Sequence, residues 1–246
     1  MRWQDKYSEK IISAEDAVGF VKPGFRICIA MIAEPPAICQ ALSKRKNELK
    51  DVTIYTGSPQ LYNEWFRPGW EEVFQLNVFH VSRQNPAPLN RGISTVQQAM
   101  AERRIDFNPF NFSLQTKQLE GGRNDRHRHD LFLITLSPPD ENGFCSFGQV
   151  MWNNRFYLQQ ADLVIAEIDP ALIRTYGDNF IHVSEIDYLV EQPPMEKPPR
   201  KHVYPGPEKH EEKIGEYAAT LVKDGDTIEL GGGRISFAMT RYLRHK

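Results

Sequence analysis

No run in this sequence approaches the ~20 consecutive apolar residues of a membrane-spanning helix. The first ten residues, MRWQDKYSEK, contain nothing like the apolar core of a secretory signal peptide. Cysteine is scarce. Its three copies, Cys28, Cys39 and Cys145, stand far apart and form no C-x-x-C pair, which argues against a disulfide framework or a zinc site. No sign of charge dominates either: 30 Lys and Arg against 32 Asp and Glu leave a net charge of −2. There is thus no electrostatic reason to propose nucleic acid as a partner, and the one basic cluster, GGRNDRHRH, is short and not interleaved with aromatics. These absences describe a reducing, cytoplasmic protein with no membrane and no nucleic-acid partner. What is present is ordinary: 40% apolar and 25% charged residues over 246 positions, enough for a sizeable core in one large domain or two small ones.

The chain alternates two periodicities. SAEDAVGFV, behind Ser13, predicts a short capped helix. RICIAMIA is a continuous apolar run that suits a strand buried on both faces. EPPAICQALSKRKNELKD predicts a helix with prolines at its start and lysines near its end, and VTIYTGS a second strand. VFHVS, DLFLITLS and ADLVIAEI read as further strands, and STVQQAMAERRI and FYLQQA as helices. Strand, helix, strand in repetition predicts an open, mostly parallel α/β sheet flanked by helices, with right-handed crossovers. This first domain covers residues 1–190. The stretch VEQPPMEKPPRKHVYPGPE then breaks the pattern: six of its nineteen residues are proline, and residues 191–207 read as an extended linker. Residues 208–246 follow as helix, strand, glycine turn and helix. The first of these helices has Ile214, Tyr217, Ala218 and Leu221 on one face, and TIEL is its strand. This piece is too small to bury its own faces and predicts the start of a second, incomplete α/β domain.

Three stretches carry chemical information. LFLITLSPPDENGFCSFG runs a buried strand into Ser137, Pro138, Pro139 and Asp140, with Gly143 placed for a positive φ. In open α/β sheets ligands bind beyond the carboxyl ends of strands, and this loop lies at such an end. A proline-stiffened connection with no ligand is the alternative. Glu167 and Asp169 close the strand of ADLVIAEIDP, where acidic residues serve either catalysis or the capping of a turn. His182, among β-branched residues, reads as a packed, hydrogen-bonded core histidine rather than a ligand or base. IELGGGRISFAM, Ile228 to Met239, lacks both the G-x-G-x-x-G of a dinucleotide site and the Lys-Ser/Thr of a P-loop. Its glycines predict close backbone approach, by a ligand or by the neighbouring helix, and the N-terminus of the following helix would favour an anion or a developing oxyanion.

Taken together, PGFRICIAMIAEPPAICQALSKRKNELKDVTIYT, IDFNPFNFSL, LITLSPPDENGFCSFG, ADLVIAEIDPALIRTYGDNFIHVSEIDYLVE and GEYAATLVKDGDTIELGGG resemble one family. It is the acetyl-CoA hydrolase and 4-hydroxybutyrate CoA-transferase branch of the family I CoA-transferases. SPPDENGFCSFG resembles its Ser-Pro-Pro-Asp-x-x-Gly-(aromatic)-x-Ser-x-Gly signature. The resemblance implies two similar α/β domains with the active site between them. It implies an acyl-CoA and a small carboxylic acid as substrates, and no permanently bound cofactor. Its nucleophile would be a glutamate that attacks the thioester, gives an acyl-glutamyl anhydride and then carries CoA as a glutamyl thioester.

That glutamate is expected a few residues past the helix after the glycine turn, beyond Lys246. A second domain or subunit would then supply it, in a homo- or hetero-oligomer, and the 246 residues alone would be inactive. Glu34, the loop holding Ser137, Pro138, Asp140 and Gly143, and Glu229 with Gly231, Gly232 and Gly233 would line the substrate cleft. Two departures stand out. Where the family carries His-x-x-Gly-Glu-Pro, this chain has Ala30-Met31-Ile32-Ala33-Glu34-Pro35, so the histidine is alanine. Where the family carries Gln-Leu-Gly-x-Gly, it has Glu229-Leu230-Gly231-Gly232-Gly233. A changed substrate, or drift from transferase chemistry, follows from them. The alternative from another class is a non-catalytic acyl-CoA-binding or scaffold subunit that pairs with another chain.

Overall fold

The structure, a computed structural model, describes residues 2–57, 59, 63–81, 91–109, 111, 114, 128–193 and 206–244. It divides into two compact units, Met1–Glu196 and Lys197–Lys246. Most of the proline-rich linker, at 194–205, and most of the basic cluster, at 121–127, lie outside the described residues. So do 110, 112 and 113 of IDFNPFNFSL.

The first unit is an α/β sheet of eight parallel strands among the described residues, flanked by helices. The strands are β1 (Ile11–Ile12), β2 (Arg26–Ile29), β3 (Val52–Thr56), β4 (Phe74–Val78), β5 (Asp106–Phe107), β6 (Leu131–Leu136), β8 (Val164–Ile168) and β10 (Tyr188–Glu191). Their spatial order is β1-β10-β8-β6-β2-β3-β4-β5. Two short strands, β7 (Phe144–Ser146) and β9 (Phe180–His182), form a separate antiparallel ribbon. Helices α1 (Trp3–Lys6), α2 (Ala14–Gly19), α3 (Pro36–Ser43), α4 (Arg91–Ala101) and α5 (Asn154–Gln159) belong to this unit.

Burial on both faces explains the continuous apolar runs. Ile27, Ile29, Leu131 and Leu133 pack on one side of the sheet with Ile38, Leu42, Trp65 and Phe66. Cys28, Phe132, Ile134 and Leu136 pack on the other side with Tyr157 and Leu158. Period-two alternation sends neighbouring residues to opposite faces, and both faces are covered. The expected α2 carries its cap, since the Ser13 side chain accepts from Asp16 N at 2.9 Å. The strand expected over VFHVS is corrected: β4 is Phe74–Val78 and overlaps it only at Val78. Gln75 and Asn77 interrupt the apolar run, while the buried alternation Phe74, Leu76, Val78 pairs with β3 from Val52 onward.

The second unit holds α6 (Lys209–Thr220) and α7 (Arg234–Leu243). The strand expected over TIEL does not form: Thr227–Leu230 are exposed and belong to no strand. The face that α6 buries also differs from the expected one. Glu211, Gly215 and Ala219 are buried, whereas Ile214, Tyr217 and Leu221 are exposed. Close crossing decides this. A Cβ on Gly215 would lie 2.7 Å from Met239 N and 2.9 Å from the Ala238 Cβ, so small residues set the contact. Arg234 closes it by pairing with Glu211 at 2.9 Å.

Candidate functional site

The chain runs outward from β2 through β3 and β4 to β5, then returns to place β6 on the opposite side of β2. The carboxyl ends of β2 and β6 therefore form the topological switch point, where an open sheet leaves a crevice for ligand. Two of the sequence-derived candidates meet there. Glu34, 7% exposed, lies in the loop from β2 to α3. Thr135, near the end of β6, donates its N–H to the Ala33 carbonyl at 2.8 Å and its hydroxyl to the Glu34 carbonyl at 2.9 Å. Ser137 follows two residues on.

The turn in this loop is strained. Ile32 has φ +61 and is exposed. A β-branched residue in the left-handed region is an outlier, and such outliers gather at functional sites.

The signature loop is knit inward rather than open to the crevice. Ser137 is fully buried. Its hydroxyl donates to the Pro138 carbonyl at 3.1 Å and accepts from Ser146 N at 2.8 Å. Asp140 uses one carboxylate oxygen for Asn142 N at 3.0 Å and Phe144 N at 2.9 Å, and the other for Arg174 Nη2 at 3.0 Å. Arg174 Nη1 donates to Ser137 Oγ, Pro138 O and Phe144 O at 3.0–3.1 Å. Gly143 has φ +90, and a Cβ there would meet the Tyr7 hydroxyl at 2.5 Å and His182 Nε2 at 2.7 Å. Both its conformation and its surroundings thus call for glycine. His182 is hydrogen-bonded, as expected, but at a half-buried turn rather than in the core. Ser184 N donates to Nδ1 at 3.2 Å, which leaves Nε2 to donate to the Asn142 carbonyl at 3.1 Å. The N-terminal segment closes the knot: Lys6 donates to Glu141 O and Lys10 to Val183 O, both at 3.0 Å.

Glu167 resolves as a cap, though not of the next turn. Its Oε2 accepts from the N–H groups of Ala37 and Ile38 at 2.9 and 3.1 Å, at the start of α3. Its Oε1 accepts from Gln192 Nε2 at 2.9 Å. Burial raises its pKa above the ordinary carboxylate value, opposed by these three donors and reinforced by the charge of Asp169. Burial also pushes the Cys28, Cys39 and Cys145 thiols up, so none is a reactive thiolate. Among the described residues no His, Cys, Asp and Glu cluster could hold a metal ion.

In the second unit, Glu229, Gly231, Gly232 and Gly233 are exposed. No atom lies within 4 Å of a Cβ built on any of the three glycines, so the neighbouring helix makes no close approach there; that approach falls at Gly215. Sequence reasoning missed Arg174, Thr135 and Gln192. Each acts on a partner tens of residues away or more, and no local pattern marks it.

A doubly covered parallel sheet with its crevice between β2 and β6, and a Ser-Pro-Pro-Asp turn at that crevice, defines a CoA-transferase-like α/β domain. The chain belongs to the acetyl-CoA hydrolase/transferase family, whose N-terminal domain model matches residues 1–199. It is 33% identical over 250 residues to the 4-hydroxybutyrate coenzyme A transferase of Clostridium kluyveri, covering 100% of this chain and 54% of that protein. It is 28% identical to the succinyl-CoA:cyclohexane-1-carboxylate CoA transferase of Geobacter metallireducens, covering 99% and 52%. The chain thus spans about half the length of the curated relatives it matches. The fold matches RipA from Yersinia pestis at 24% identity and a TM-score of 0.70, over 96% of this chain and 54% of that one. It also matches a 4-hydroxybutyrate CoA-transferase from Porphyromonas gingivalis at 23% identity and a TM-score of 0.65, over 99% and 54%. Among the described residues no helix is long and apolar enough to cross a membrane.

Proposed function

We propose that this chain forms the N-terminal part of an acyl-CoA:carboxylate CoA-transferase or acyl-CoA hydrolase. Its substrates are an acyl-CoA and a small carboxylic acid or water. The observation that carries this reading is the family match over the whole first unit, and we assign Glu34 and the strained Ile32 turn, at the carboxyl end of β2, to the floor of its crevice. The glutamate nucleophile comes from outside these 246 residues, in a second domain or subunit. It attacks the thioester carbonyl and expels CoA thiolate. The thiolate returns to the anhydride, releases the acid and leaves CoA on the glutamate for transfer to an acceptor.

In this reading the Ser137–Gly148 loop shapes the cleft through its backbone rather than its hydroxyls, which are spent internally. Glu229 and Gly231–Gly233 are assigned to recognition of the acyl group. Glu229 carries a carboxylate where the family has an amide, and so disfavours acyl groups that end in a carboxylate.

The test uses the natural full-length protein. With acetyl-CoA and a carboxylate it should exchange CoA, and borohydride should reduce the glutamyl thioester to an alcohol with release of CoA, a mass loss at one glutamate that the 246-residue chain does not show. Glu229→Gln should shift the kcat/KM ranking toward carboxylate-tailed acyl-CoAs. Absence of both CoA exchange and thioester hydrolysis in the full-length protein would refute the reading. The second reading, a scaffold or acyl-CoA-binding subunit that pairs with another chain, is favoured by the exposed apolar faces of α6 and α7, including Ile214, Tyr217, Ile235 and Phe237. Binding of acetyl-CoA without turnover would select it.

A further inference from the structure

Helix α3 begins immediately after the crevice loop, and it cannot cap itself. Pro35 occupies its cap position without a side-chain acceptor, and Pro36 has no N–H to donate. The first N–H groups that need an acceptor, on Ala37 and Ile38, find it in Glu167, 130 and 129 residues away in sequence. Glu167 is 0% exposed, and no lysine or arginine among the described residues pairs with it. Its remaining oxygen is taken by Gln192, which follows β10 and is itself anchored by its N–H to the Ile168 carbonyl at 3.1 Å. On the other side of the loop, Thr135 holds the carbonyls of Ala33 and Glu34. Residues 33–38 are therefore pinned from β6 through two carbonyls and from β8 through two amides. Glu34 belongs to the first anchor, and only Pro35 and Pro36 lie between it and the second.

We propose that Glu167 is a positioning residue: by holding the N-terminus of α3 it sets where Glu34 and the Ile32 turn stand at the crevice, and Gln192 orients Glu167 for this. The proposal rests on the crevice being the CoA-thioester site. A glutamine at 167 would keep the shape of the side chain. Its amide oxygen could still accept from Ala37 and Ile38, but its NH2 would then face Gln192 Nε2, donor against donor, until Gln192 turns its amide over and gives up the orientation in which it donates. Exchanging the pair, Glu167→Gln with Gln192→Glu, restores a donor facing an acceptor.

The experiment measures acetyl-CoA binding to the full-length protein by calorimetry. Glu167→Gln should weaken binding ~10-fold, the scale of a small displacement at a binding site, and the exchanged pair should recover most of that loss. Wild-type affinity in Glu167→Gln, or an exchanged pair as weak as the single variant, would overturn the proposal. Gln192→Met removes one donor only and covers the case in which Glu167→Gln does not fold. It should weaken binding in the same direction, and unchanged binding would count against the proposal. If the wild type binds no acetyl-CoA, the functional reading fails by itself. The amide shifts of Ala37 and Ile38 in Glu167→Gln then decide the inference, and unchanged shifts overturn it.

Discussion

Arg174 Nη2 lies 3.0 Å from Asp140 Oδ2, across 34 residues of sequence, while Nη1 of the same guanidinium serves Ser137, Pro138 and Phe144. One side chain thus gathers the acceptors of the whole turn. A planar fork with donors in fixed directions can do this, and a lysine cannot.

Arg174→Met should destabilise the first unit by about 2 kcal/mol, because its partners lose a donor within a closed turn. Arg174→Lys should recover less than half of that. Urea denaturation of both variants measures it. Full recovery by lysine would mean that charge, rather than the fork, holds the loop.

Gly143→Ala should cost about 2 kcal/mol, since it adds a Cβ at φ +90 directly against the Tyr7 hydroxyl and His182 Nε2. Pairing Gly143→Ala with Tyr7→Phe should return only the part due to the hydroxyl contact. Thermal unfolding of the two variants separates crowding from backbone conformation.

Ile32→Asn should leave stability unchanged or raise it by up to about 1 kcal/mol, because asparagine accepts the left-handed conformation that isoleucine resists. Ile32 is exposed, so little apolar burial is lost. A loss of more than about 1 kcal/mol in urea titrations would assign the side chain a packing role that outweighs its strain.

Glu167 gives a pH-dependent stability of defined sign. Burial, with the negative charge of Asp169 nearby, raises its folded-state pKa; Cys39 on α3, which also senses Glu34, packs in the same region. The folded state then holds the proton more tightly than the unfolded chain. This group's contribution to stability is greatest below the unfolded value, and it falls as pH rises from there through the raised folded value. Glu167→Gln removes that slope. Its stability relative to wild type should therefore increase from about pH 4.5 upward and then level off. A difference between the two proteins that does not vary with pH would show that the three donors offset burial completely.

Much of the fold was legible because it depends on local pattern. Apolar runs such as LFLITL and VIAEI are continuous because the sheet is covered on both sides. Ser13 caps α2 through contacts within four residues. The Ser-Pro-Pro-Asp turn and Gly143 were recognisable as a special loop at a strand end, since proline, aspartate and positive-φ glycine act over a few bonds.

What the sequence by itself determined, then, is the alternation of strand and helix, the special loop at the end of one strand and the family. Only the tertiary structure decided what the polar groups there do. Ser137 is a buried knot within its loop, Glu167 a cap on a helix 130 residues away, and Gly215 rather than the Ile214–Tyr217–Leu221 stripe the contact between α6 and α7. The physical reason is shared. A hydrogen bond or a close helix crossing depends on which partner topology delivers, and parallel strands joined by long crossovers bring together residues whose separation in sequence carries no signal.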